Sequence, residues 1–166
     1  MKFNNIIPTI KYAILTIKHK YFVFVAGLYV GVPLITLLKH DLSKFYIYEL
    51  PNYGRQFFGD KSDPEKFDIA WLHHQNSNKH HWEYWIPRTG HNKSNGNQAP
   101  LDIPEIYVKE MVADWLGAGR VYNKYWPDVR NWTWLSSNVD KMILSKNTKK
   151  LINKTIDYLI VKGYFC

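Results

Sequence analysis

Between Tyr21 and Leu38 the chain reads YFVFVAGLYVGVPLITLL, 18 residues without a charge. That length reaches the lower end of what crosses a bilayer, where about 20 apolar residues are usual. The flanking residues argue against such a use. His19 precedes the segment and His40-Asp41 follows it, so a span would strand these polar groups on opposite sides of a membrane. Gly31-Val32-Pro33 interrupts the run, since glycine admits a turn and proline does not continue a helix. A buried helix broken at that point instead brings His19 beside His40-Asp41. The expectation is a water-facing domain without a membrane partner. The lone cysteine, Cys166, excludes an internal disulfide framework, and with no apparent secretory leader the expected setting is cytoplasmic.

Six of the seven histidines fall between His19 and His81. Each buried imidazole has two ring nitrogens to satisfy, so an apolar core gains little from so many. Histidine is also the commonest metal ligand, and a His-Asp step offers one ion a nitrogen and an oxygen. With a single cysteine, a metal would be held by imidazole and carboxylate. That donor set suits one or two divalent ions of Mn, Mg, Fe, Co, Ni or Zn. The candidate ligands are His19, His40, Asp41, the doublets His73-His74 and His80-His81, and Asp114 in KEMVADW. Glu110 and Asp114, four apart, share a helical face. Lys44 follows Asp41 by three residues and so lies beside it on a helix. There it would hold a phosphate oxygen or orient a water. His91 sits in a polar loop and is left out.

The remaining pattern is helical. Ile10, Ile14 and Ile17, with Ala13 between, mark one face of a helix over residues 6–18. Further helices are expected over residues 21–29 and from Pro33 to His40, with Leu50-Pro51 as a break. Pro64 opens another, capped by Ser62 or Asp63. A short helical stretch follows at residues 80–85. The Gly- and Asn-rich segment 88–101 reads as a loop. A strong helix runs from Pro104 to Leu116, stopped by Gly117 or Gly119, and two C-terminal helices fill residues 136–145 and 148–162. The fold class is all-α: one compact helical bundle over residues 1–166 with six to eight helices. Its site region is residues 19–119 and its C-terminal helices lie within 128–163.

The series His19, His40-Asp41, Asp114 resembles the His…His-Asp…Asp signature of the HD-domain metal-dependent phosphohydrolases, which are all-helical. Lys44, three residues after Asp41, and the histidines before Asp114 resemble the two-metal branch of that superfamily. The stretches HKYFVFVAGLYVGVPLITLLKHDLSKF, YGRQFFG, FDIAWLHHQNSNKHHWEYW and PEIYVKEMVADWLGA are also similar to a group of small proteins of bacteria, phages and large DNA viruses. The resemblance implies that His19, His40, Asp41 and Asp114 hold a first metal. Asp41 would bridge to a second, held by His73 or His74 with His80 or His81. HHWEYWIP stands where the Gly-Tyr-Pro element of the HD-GYP type would be, so cyclic-dinucleotide activity does not carry over. Many one-metal members have an acid at the Lys44 position and another further on, a role open here to Glu49.

The net charge of +8 favours anionic partners. The expected substrate is a nucleotide or related phosphate ester, mono- or diester. Lys44, Arg55, Arg88 and Arg120 would neutralise phosphoryl charge, and Trp82 would pack or stack on a base. Two other readings stand beside it: a di-iron oxygenase on the same scaffold, and a metal-stabilised module that binds nucleic acid or nucleotide without catalysis. No nucleic-acid motif is present.

Overall fold

A single helix of 25 residues, α1 (Ile6–Val30), organises the molecule. The computed structural model describes residues 6–87, 93–94 and 97–166, with backbone alone at 93–94 and 97–98. Arg88 and His91 lie outside the described residues. After α1 come α2 (Leu34–Lys39), α3 (Leu50–Phe58), α4 (Pro64–Ser77), α5 (Glu105–Asn123), α6 (Thr133–Asn138) and α7 (Lys146–Val161). Short 3-10 turns at Leu42–Phe45, Trp82–Trp85 and Val139–Lys141 lie between them. A two-residue antiparallel ribbon, β1 (Lys93–Ser94) with β2 (Asn97–Gln98), lies in the loop before α5. The all-α expectation holds.

Where the sequence suggested two helices around Lys18-His19-Lys20, the backbone is one. Three polar residues on a helix point in three directions about 100° apart, so only His19 need turn inward. The break comes where glycine and proline place it: Gly31 adopts φ 83° and α2 starts after Pro33. Leu50-Pro51 opens α3 instead of ending a helix, because proline is accepted in a first turn. Asp63 caps α4 by accepting from the Lys66 amide at 3.2 Å. α5 runs past both glycines. A Cβ on Gly117 would sit 2.6 Å from Val23 Cγ2, so this glycine lets α1 and α5 cross closely and stops nothing.

Val23, Ala26 and Val30 of α1 pack with Val108, Val112 and Leu116 of α5, and with Ile152 and Leu159 of α7. Each valine, leucine or isoleucine among them contributes about 1.5–3 kcal/mol when fully buried. A smaller cluster joins α1, α3 and α4 through Tyr12, Tyr53 and Ala70, with the two tyrosine rings stacked 5.0 Å apart. His19 falls between these clusters along α1. The face bearing Ile10, Ile14 and Ile17 is exposed; α1 turns Tyr12, Thr16 and Val23 to the interior.

Among the described residues, α1 is the one helix long and apolar enough to cross a membrane by length and composition. Tyr21–Leu38 is not a continuous helix, since it bends at Gly31.

Candidate metal centre

Five segments deliver the candidate ligands, with His74 on α4 and His80-His81 just beyond it. α1 supplies His19, and α5 supplies Asp114. Between them, His40 ends α2 with extended backbone and Asp41 follows in the left-handed region at φ 54°. That conformation, uncommon outside glycine but accessible to Asp, turns the chain sharply. Neighbouring side chains that would diverge on a helix thereby converge. Lys20 holds this corner by donating to the carbonyls of His40 and Leu38.

The first group is His19, His40, Asp41 and Asp114. His19 Nε2 lies 2.9 Å from Asp114 Oδ1 and 3.4 Å from Asp41 Oδ2. His40 Nε2 lies 3.3 Å from Asp114 Oδ1 and 3.6 Å from Asp41 Oδ2. The second group is Asp41, His74, His80 and His81. His74 Nε2 and His80 Nε2 are each 3.4 Å from Asp41 Oδ1, and His81 Nε2 is 2.9 Å from His74 Nε2. Thus Asp41 turns one carboxylate oxygen to each group.

These groups fit a divalent metal on two counts. Ligands about 2.0–2.2 Å from one ion stand roughly 3–3.5 Å from each other, which is the spacing seen. In addition, His19 Nε2, His40 Nε2, His80 Nε2 and Asp41 Oδ1 are buried without a hydrogen-bond partner. Four such atoms aimed at two points would be costly unless something meets them.

Behind the rings stands a layer of acceptors. Glu110 Oε1 is 3.0 Å from His40 Nδ1 and 3.3 Å from His80 Nδ1. Placing Nδ1 against this carboxylate aims both Nε2 atoms at the site, the orientation a metal would need. Glu49, fully buried, serves the second group. Its Oε2 is 3.2 Å from His74 Nδ1, its Oε1 accepts from His73 at 2.6 Å, and Ser43 Oγ donates to it at 3.2 Å. Lys44 Nζ is 2.6 Å from Asp41 Oδ2, as the spacing predicted.

The electrostatics follow from this packing. Burial works against ionisation of Asp41, but His40, Lys44 and His74 override it and hold the carboxyl well below its usual range. Asp114 is likewise held low against burial, by the imidazoles of His19 and His40 beside it. Burial opposes a charged His40 too, yet Asp41, Asp114 and Glu110 push that imidazole up to about 10. Burial lowers His74, and burial with His80 and His74 lowers His81 well below the ordinary value. Those two rings are neutral and ready to ligate.

Several expected residues fall elsewhere. His73 is turned outward, half-exposed, because adjacent helical residues diverge and only His74 can face in. His80 and His81 lie beyond the end of α4, where both rings reach the site. Glu49 sits behind His74, against the ring nitrogen turned away from Asp41. Arg55 pairs with Asp63 at 3.3 Å, at the far end of α4 from His74. Arg120 lies over the Phe22 ring at 4.8 Å. Trp82 packs against the core. A different aromatic site stands one turn along α5 from Asp114: a pocket of about 240 Å³ walled by Trp115, Tyr122, Trp132 and Trp134. The roles of Glu110 and Glu49 were missed. The available signal was the Glu110–Asp114 spacing, together with the need of each ligating imidazole for an acceptor at its other nitrogen.

Comparison with protein families shows that the chain belongs to a family of unknown function, DUF5662, whose model matches residues 9–158. No curated protein and no solved structure matches it.

Proposed function

We propose that the chain is a two-metal phosphohydrolase of the HD-domain type, acting on a nucleotide or related phosphate ester. The observation that carries this reading is Asp41, whose two oxygens face two histidine-rich groups while Lys44 touches one of them. His19, His40, Asp41 and Asp114 would hold one ion; Asp41, His74, His80 and His81 would hold the other. When bound, such a pair supplies hydroxide at neutral pH and charge neutralisation at a phosphoryl group.

The chain's own residues do the rest. Lys44 is kept charged because Asp41 outweighs burial, so its ammonium can pass from Asp41 to a phosphate oxygen and neutralise charge developing there. Glu110 fixes His40 and His80 in the tautomer that presents Nε2. The tryptophan pocket beside Asp114 offers flat apolar walls to a base, a type of contact worth about 1–3 kcal/mol. That pocket supports a nucleotide over a plain sugar phosphate.

The test is elemental analysis of the purified protein, then a phosphate-release screen over nucleotides with Mn, Mg, Fe, Co, Ni or Zn. The expected result is about two ions per chain and turnover that disappears in Asp41→Asn. Bound iron with oxygen consumption and no phosphate release would replace this reading with an oxygenase.

A further inference from the structure

α1 is apolar on two opposite faces. The inner one builds the core. On the outer one stand Ile7, Ile10, Ile14, Ile17, Tyr21 and Leu28, each between 49% and 65% exposed. Phe24, partly buried and packed against the core, stands at the same spacing. The steps alternate three and four residues throughout, so these side chains form one continuous stripe about 32 Å long. Exposed isoleucine at every turn is costly in water and does nothing for this chain's own core.

From this stripe and its surroundings we infer that the outer face of α1 lies on an anionic lipid surface, with the helix parallel to the bilayer plane. Three observations favour a lipid over a second copy of the chain. The stripe is flanked by Lys11 and Lys18, and α1 carries no acid. A groove of about 590 Å³ adjoins it, walled by Ile17, Tyr21 and Val121 and edged by the cations Lys18, Arg120 and Lys124, again without an acid. Apolar walls with a cationic rim suit acyl chains below a phosphate headgroup. Lastly, a stripe one helix wide offers roughly 300 Å², well short of the ~800 Å² per partner that a stable dimer needs. Spanning is excluded while the fold is intact, because the inner face of α1 is sealed against α3 and α5 and holds His19 in the metal cluster.

Sedimentation of the full chain with vesicles decides the matter. The chain should pellet with phosphatidylcholine vesicles containing phosphatidylglycerol, much less with phosphatidylcholine alone, and less as salt rises. Ile14→Asp with Ile17→Asp should abolish pelleting. Lys11→Gln with Lys18→Gln should weaken it about thirty-fold, as expected for two basic charges at an anionic surface. All four positions face outward, so helical content and melting temperature should stay unchanged, and this control does not depend on metal or activity. No pelleting at low salt, or equal pelleting with neutral and anionic vesicles, overturns the inference. So does a dimer seen by light scattering that the Ile14/Ile17 pair of substitutions dissolves without any effect on vesicles.

Discussion

The two halves of the candidate metal cluster share Asp41 but are built differently. The first takes two carboxylates and two imidazoles from α1, the α2 corner and α5. The second takes one shared carboxylate and three imidazoles, all three from residues 74–81. Two carboxylates make the first half the stronger electrostatic trap for a divalent cation. In the second half, burial has already discharged His74 and His81. The first half also spans the fold, so it cannot exist before α1 meets α5; the second is largely local. We expect tighter metal binding in the first half, and a second half filled only at higher metal concentration.

The harshest test of that comparison is Asp41→Asn, which removes the shared charge. Metal content should fall from about two ions per chain toward none, with loss of all phosphate release. A folded variant with full metal content would mean that Asp41 is no bridge. Next comes separation of the halves. Asp114→Ala should empty the first half, and His74→Ala with His81→Ala the second, each leaving about one ion per chain by elemental analysis. Loss of both ions in either variant would show that the halves do not bind independently.

The acceptor layer sharpens the contrast further. Glu110 touches one ring in each half, whereas Glu49 touches only His74 among the ligands. Glu110→Gln should weaken both ions, and Glu49→Gln only the second, by roughly 10–100-fold in affinity. Titration with a competing chelator reads both. The smallest effect is a proton count. His40, held up at about 10 in the metal-free protein, is charged at neutral pH and must lose its proton to ligate. Filling the first half should therefore release a proton, and its affinity should climb as pH rises toward that value. The lowered His74 and His81 have none to give. Calorimetry in buffers of different ionisation heat should show that release when the first ion binds, and His74 and His81 should add none with the second. Equal release for both would contradict the assigned charge states.

The sequence by itself determined much of this protein. Helical spacing and the scarcity of strand signals gave the all-α bundle. Gly31-Val32-Pro33 marked the bend, Pro64 the start of α4, and the His-Asp step with Lys44 the centre of the site. These are local facts, written into backbone preference and side-chain direction within a few residues. Tertiary structure decided the rest, because it rests on which surfaces meet. Only packing shows that His74 faces in and His73 out, that Glu110 serves two rings across two groups, and that Glu49 stands behind a ligand. The same holds for Gly117, a helix stop by composition that became a crossing point against Val23. It holds above all for α1, whose two faces are both apolar. The pattern of isoleucines marks a face without saying which way it looks. That choice fell to the inner side, where His19, Tyr12 and Val23 meet α3 and α5, and it left the isoleucines outside.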